Sequence, residues 1–257
     1  MTFSLLLRVI LRNISLLLFL LGINLLVNAQ DNSLFGDQSV VFKRQIEGGF
    51  HARTNGWGAD FGWGKYKGAY KVNMYHVEIG NLRDDREIRS FNSFYDDARS
   101  YIYGKINSVF TLKATYGRKK IWHRKMRIGG VQVSRRWALG PTLAFKKPIY
   151  LLIGKPDFPF RYVEEERYDP SIHFVSNIYG RASYFSGIAE TKLVPGLHAK
   201  YLLNFEYSGE RDIISALELG LSFDAYLVDL EIMANQQREQ MFLSLFVALK
   251  FGRRFAD

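Results

Sequence analysis

Five histidines, His51, His76, His123, His173 and His198, supply every imidazole in this chain of 257 residues, which contains no cysteine. Covalent hydrolysis needs a nucleophile, a base within hydrogen-bond reach and a group that orients the base. Each histidine has an acid nearby, but no serine motif accompanies any of them. Two aspartate pairs, Asp84-Asp85 and Asp96-Asp97, are the next candidates, because paired carboxylates beside a histidine can activate water. Asp96 and His76 would be the residues to test for such chemistry. No histidine shares the segment of either pair, so they read as solvated loop acids that bridge divalent cations to surface phosphates. Glu164-Glu165-Glu166 with Asp169 has the same status. Metal-spaced His/Cys clusters, a phosphate loop and a dinucleotide fingerprint are all missing. No catalytic, cofactor-binding or metal-binding residue is therefore assigned, no cofactor is expected, and the chain is expected not to be an enzyme.

The elements that carry these residues begin with an export signal. Arg8 and Arg12 form a basic leader without acids, Ile14 to Val27 is apolar, and Val27-Asn28-Ala29 offers a small-x-small cut ahead of Gln30. That order is the layout of a secretory signal peptide. The alternative is an uncleaved anchor, but the two arginines divide a stretch that is otherwise short for a span. Removing residues 1–29 leaves 228 residues and lowers the formal charge from +10 to +8, since two arginines and no acid are lost. For an exported chain, anionic lipid headgroups and lipopolysaccharide phosphates are better partners for that basic excess than nucleic acid. Without cysteine, neither a disulfide nor a lipoprotein anchor can form.

The mature segment, 30–257, has no further apolar run near twenty residues. It alternates instead, which is the strand signature. Leu197, Ala199, Tyr201, Leu203, Phe205 and Tyr207 share one face. Leu217, Leu219, Leu221 and Phe223 do the same, as do Met241, Leu243, Leu245, Val247, Leu249 and Phe251. Near the front, Ile46 and Phe50 alternate with Gln45, Glu47 and His51. A soluble sandwich also alternates, but its strands run to about five or six residues. These runs reach ten or more, enough for a tilted strand to cross a bilayer. Trp57, Trp63, Tyr66, Tyr116, Tyr207 and Tyr226 sit near run ends, as aromatic girdles would. The fold expected is all-β, an antiparallel up-and-down transmembrane barrel in the outer membrane.

Eight strands are predicted, over 41–53, 56–66, 69–81, 103–116, 138–152, 196–208, 213–227 and 241–254. An even count puts both ends on the periplasmic side. Tyr66-Lys67-Gly68 and Ser208-Gly209-Glu210-Arg211 then become periplasmic turns, Thr54-Asn55 a short outer turn, and 82–102, 153–195 and 228–240 long outer loops. The segment 117–137 is ambiguous. Gly129-Gly130 signals a hairpin, which is a periplasmic hairpin, extends two strands, or adds a pair and gives ten. Val72 and Met74 fall out of phase with Tyr75, Val77 and Ile79, which predicts a β-bulge. Pro141 and Pro148 predict that the fifth strand ends early or is distorted.

Inward positions carry Glu47, Asp60, Glu78, Glu206, Glu218 and Asp224, with Lys43, Arg53, Lys65, Lys105, Lys113, Lys200 and Lys250. Enclosed charges of opposite sign should pair. An eight-stranded lumen is narrow enough for side chains to fill, so a salt-bridged plug is favoured over a conducting pore. The glycines of 48–64, facing or flanking Phe50, Trp57 and Trp63, predict either strong curvature or a groove for a lipid chain.

The stretch Gly140-Pro141-Thr142-Leu143-Ala144-Phe145-Lys146-Lys147-Pro148-Ile149-Tyr150-Leu151 resembles the GxSLxxxKPxYL segment of an outer-membrane β-barrel family of Bacteroidota. Arg99 to Tyr116, Pro195-Gly196-Leu197-His198-Ala199-Lys200 and Leu249-Lys250-Phe251-Gly252-Arg253-Arg254 are similar to it as well. Thr142 replaces the family's small polar residue, and Lys147 is added before Pro148. The motifs are structural, so the resemblance implies a barrel and assigns no active-site residue. The expected role is a structural or interaction component, for example a subunit of secretion or protein-insertion machinery, with other outer-membrane or periplasmic proteins as partners. The alternative is a small channel for ions or solutes.

Overall fold

The computed structural model describes residues 42–92, 98–125, 130–155, 161–234 and 239–256. The predicted signal peptide, Asp96-Asp97 and Gly129 lie outside them.

Eight long strands close into one antiparallel barrel: β1 (Arg44–Arg53), β2 (Gly56–Tyr66), β3 (Lys71–Leu82), β6 (Asn107–His123), β7 (Gln132–Pro148), β11 (Lys192–Glu206), β12 (Ile213–Tyr226) and β13 (Met241–Phe255). Five short strands lie in the connections: β4 (Arg89–Ser90), β5 (Tyr101–Ile102), β8 (Tyr150–Lys155), β9 (Tyr162–Arg167) and β10 (Ile178–Arg181). Each barrel strand pairs with its neighbour in the chain, and β1 pairs with β13 to close the ring. The seam is regular, from Arg44↔Phe255 to Arg53↔Phe246. No barrel strand is left with an edge, so every ladder is satisfied internally, as a hydrocarbon surround requires.

The alternation sorts side chains as the sequence implies, with the usual polarity of a soluble protein reversed. Phe50 is 70% exposed and Leu243 69%, whereas Lys113 and Lys250 are fully buried. Trp63 stacks on Tyr75 at 5.7 Å, Tyr75 meets Tyr116 at 5.1 Å, and Tyr116 meets Trp137 edge-on at 6.4 Å. These rings form an outward aromatic band across β2, β3, β6 and β7.

β1 begins and β13 ends at one end of the barrel, which also carries the β2–β3 and β11–β12 turns. At Lys67–Tyr70, Gly68 takes φ 82° and Lys67 N–H donates to Lys71 O. The opposite end carries the Thr54-Asn55 turn and the long connections. There β10, β8 and β9 form a separate three-stranded sheet, with a small core of Tyr101, Leu151, Ile153, Tyr168 and Ile178.

The segment 117–137 does not add strands. It extends β6 and β7 to 17 residues each, so the count is eight. The predicted bulge in the third strand is absent: β3 keeps one register against β2 and one against β6. Val72 and Met74 are buried on the inward face, which turns apolar at this end, so the change of phase is one of polarity. A register shift occurs instead between Ile121 and His123. The predicted fifth strand, 138–152, begins earlier and divides at Pro148, where β7 ends and the chain leaves the barrel as β8. Pro141 does not distort it. The β6–β7 ladder skips the pairs beside Gly140-Pro141 and resumes in the same register, Tyr116↔Leu139 and Lys113↔Thr142.

Candidate functional site

The lumen holds the densest chemistry, and the strand parity puts it there. Six buried carboxylates (Glu47, Asp60, Glu78, Glu206, Glu218, Asp224) meet seven buried cations (Arg53, Lys113, Lys119, Arg136, Lys200, Lys250, Arg254), so the interior is close to neutral without any ion from solution. Toward the outer end, Lys113 Nζ donates to both Asp224 oxygens at 2.7–2.8 Å, and Lys200 Nζ to Glu78 at 2.9 Å. Arg53 lies 3.5 Å from Glu78 and 3.7 Å from Asp224. At mid-height, Lys250 pairs with Asp60, and Arg136 spans Glu47 at 2.7 Å and Glu218 at 3.0 Å. Asn204 donates to Glu218 and Gln45 to Glu47, both at 3.0 Å. At the end where β1 begins and β13 ends, Arg254 pairs with Glu206 and donates to Tyr66 Oη at 2.8 Å.

Above this network the mouth beside the long connections is closed by apolar packing. Leu82, Val109, Ala144, Val194, Tyr226 and Phe242 from six strands surround Leu230 and Ile232 of the β12–β13 connection. Hydrogen bonds hold that connection inside: Ile106 N–H donates to Ile232 O at 2.9 Å, and the Asn107 side-chain Nδ2 donates to Glu231 O at 2.6 Å.

Three histidines lie within the lumen. His76 Nδ1 sits 3.2 Å from Asp60, and His51 bridges Asp60 at 3.6 Å and Glu78 at 3.4 Å. His198 Nδ1 sits 2.6 Å from Asp224. An aspartate on Nδ1 is the orienting half of a nucleophilic triad, but Lys113 occupies the same aspartate and lies 3.3 Å from His198 Nδ1. No hydroxyl bonds to His198 Nε2, and both side chains are fully buried. The pair has the chemistry of a structural ion cluster. Among the described residues, no group of three or more His, Asp or Glu side chains is arranged to hold a metal.

The outer candidates are dispersed. Asp84 accepts from Arg86, Asp85 is exposed, and His76 lies in the lumen on a different element. His123 is exposed at the end of β6. His173 is buried and structural. Asp169 N–H donates to its Nδ1 at 3.0 Å, so the neutral ring carries its proton on Nε2 and donates to Glu166 at 3.0 Å. Glu166 also accepts from Lys155, and these two bonds, that from Lys155 first, hold its carboxyl below the usual carboxylate range. The Ser171 hydroxyl and N–H do the same for Asp169.

Several inward assignments need correction. Lys65 shares the parity of Phe61 and Trp63 and points outward. Lys43 is exposed at the rim. Lys105 belongs to a connection, where it pairs with Glu87 at 2.6 Å. Gly58 and Gly62 face inward rather than toward the lipid-side aromatics. A Cβ at Gly62 would overlap the His76 ring, and one at Gly58 the His51 ring, so these glycines make room for lumenal imidazoles. Arg136, central to the network, and Lys119, buried beside it without a hydrogen bond or ion pair among the described residues, were missed. They share parity with Ser134 and Ala138 and with Ile121 and Gly117, a signal masked by outward basic residues on the same strands.

No family model matches the chain, and no curated protein does. Among solved structures, Neisserial surface protein A is similar with a TM-score of 0.41 at 8% identity, over 84% of this chain and 97% of that one. Ail, the attachment invasion locus protein of Yersinia pestis, gives 0.38 at 9% identity, over 83% and 99%.

Proposed function

We propose that this chain is a non-enzymatic outer-membrane β-barrel that acts as an interaction component, its binding surface carried by the outer connections. The closed lumen carries the reading. Leu230 and Ile232 pack into one mouth, and beneath them every lumenal carboxylate is paired with a cation, which leaves the interior little room for solute or substrate. The belt of Phe50, Leu197, Leu243 and Leu245 on the exterior supports a membrane surround. The motif from Gly140 to Leu151 runs along β7 into β8, where barrel passes into outer sheet, and its resemblance supports membership of the Bacteroidota barrel family.

The outer end presents the surface such a component needs. Phe174, Val175, Tyr184 and Phe185 are exposed around the β10-β8-β9 sheet. β9 is an edge strand bearing Glu164, Glu165 and Glu166, charges that discourage indiscriminate strand pairing. The partner is therefore expected to dock on the apolar side chains beside that edge and to belong to a larger outer-membrane assembly.

A photoreactive residue at Phe174 or Phe185 in native membranes should form protein adducts, whereas one at lipid-facing Leu243 should not. Equal yields at all three positions would count against a partner on the outer sheet. Unitary conductance of the purified barrel in planar bilayers would replace this reading with a channel.

A further inference from the structure

The flank of the barrel at the end where β1 begins and β13 ends carries an arrangement of charge that the fold itself does not neutralise. Lys71, Lys120 and Arg135 stand directly opposite one another on β3, β6 and β7, through the pairs Lys71↔Lys120 and Lys120↔Arg135. One step toward the membrane centre, Arg118 pairs in register with Trp137, and Trp137 with Tyr201. Lys71, Arg118 and Lys120 are exposed and Arg135 is half-buried. Neighbouring strands lie about 4.8 Å apart, so the row of three cations spans only about 10 Å. Like charges directly opposite in a ladder repel. Among the described residues none of the four makes an ion pair, whereas Arg253 at the same end is matched by Asp212 at 3.0 Å. Arg135 additionally lies over the Trp122 ring at 5.1 Å. Lys71, Arg118, Lys120, Arg135, Trp137 and Tyr201 together line a surface concavity of about 330 Å³.

We infer that Lys71, Arg118, Lys120 and Arg135 form a site for the phosphate of an acidic glycerophospholipid, taken from the leaflet on the periplasmic side. This rests on reading the chain as a membrane barrel. The chemistry and the depth agree. A guanidinium offers a phosphate two parallel N–H donors, and the lysines add point charge around it. Trp137 and Tyr201 mark the headgroup level, where amphipathic rings settle, and the acyl chains would continue along the apolar face above them. Bound phosphate removes the repulsion among the three cations in one row, so the lipid also stabilises the β3–β6–β7 ladder. Lipopolysaccharide, which meets the opposite end of the barrel, is excluded by position.

The test uses the chain reconstituted in phosphatidylcholine vesicles, with Trp57, Trp63 and Trp122 changed to Phe so that Trp137 alone reports. Phosphatidylglycerol brominated on its acyl chains should quench Trp137 more strongly than brominated phosphatidylcholine at the same mole fraction. The expected preference is on the order of tenfold for several cations at a membrane surface. It should fall to parity in Lys71→Gln/Lys120→Gln/Arg135→Gln and persist in Arg253→Gln. High salt should weaken it in the unsubstituted site. Parity of the two lipids around an inserted barrel would overturn the site and leave the barrel reading intact. Failure to insert, seen as unshifted Trp137 emission and no quenching by either lipid, would overturn the barrel reading itself.

Discussion

Replacing Arg136 with Met would distinguish a dry lumen from a wet one. The guanidinium is 2% exposed and contacts Glu47 at 2.7 Å, Glu218 at 3.0 Å and His76 at 2.8 Å. A close pair of unit charges is worth about 4 kcal/mol at an effective dielectric of 20, and about 1 kcal/mol in bulk water. Removing one partner of a buried pair strands the other, at a cost of about 3–5 kcal/mol. Here two carboxylates lose their shared cation, so Arg136→Met should destabilise the barrel toward the upper part of that range. Adding Glu218→Gln should recover part of the loss, because one stranded charge is then removed. Urea unfolding in phosphocholine micelles, followed by tryptophan emission, reads both effects. With a urea dependence of about 2 kcal/mol per molar, the midpoint should fall by roughly 2 M. A loss below about 1 kcal/mol, with no recovery in the double variant, is what solvent-screened pairs give. That result would refute the sealed lumen and favour the alternative, a channel.

Gly62→Ala should cost about 1–3 kcal/mol by forcing the His76 ring out of its position, while Gly209→Ala, with open space around it, should stay within about 0.5 kcal/mol. Thermal melts of the two variants side by side would show the difference. Acid should loosen the outer sheet before the barrel. The folded state holds the Glu166 carboxyl below its ordinary value of 4.5, so its contribution is complete above that pH and is lost as the pH falls through the lowered value. Amide exchange in β9 should therefore accelerate in that acidic window while β12 stays protected, and Glu166→Gln should exchange fast in β9 already at neutral pH.

Sequence patterning carried most of the barrel because each spanning strand meets two contrasting solvents, and Leu217 to Phe223 or Met241 to Phe251 record that contrast residue by residue. It weakened where one face changes character along its height. Val72 and Met74 made the inward face look like the outward one and imitated a bulge. On 117–137, Arg118, Lys120 and Arg135 made the outward face as basic as Lys119 and Arg136 make the inward one, so the extensions of β6 and β7 carried no visible period. The outer sheet was illegible for another reason: β8 continues from β7 past Pro148 without a break in apolar content, β9 carries Glu164-Glu165-Glu166 without alternation, and β10 pairs with β8 across the intervening β9 and a loop. The carboxylates and most lysines of the lumen followed from parity. Which cation meets which acid did not, because partners such as Lys250 and Asp60 lie on strands brought together only by closure.

The β1–β13 seam has a consequence for assembly. It joins the first strand made to the last, so closure is the contact of greatest sequence separation and the one with the largest loop entropy to overcome. The last strand also brings Lys250 to Asp60 and Arg254 to Glu206. Until it docks, Asp60 of the interior lacks its lysine and Glu206 keeps only Lys125, and an open sheet inserted early would expose these acids to lipid. Hydrogen-bond closure and neutralisation of Asp60 thus arrive in one event, which disfavours a partly folded barrel lacking its last strand in the bilayer.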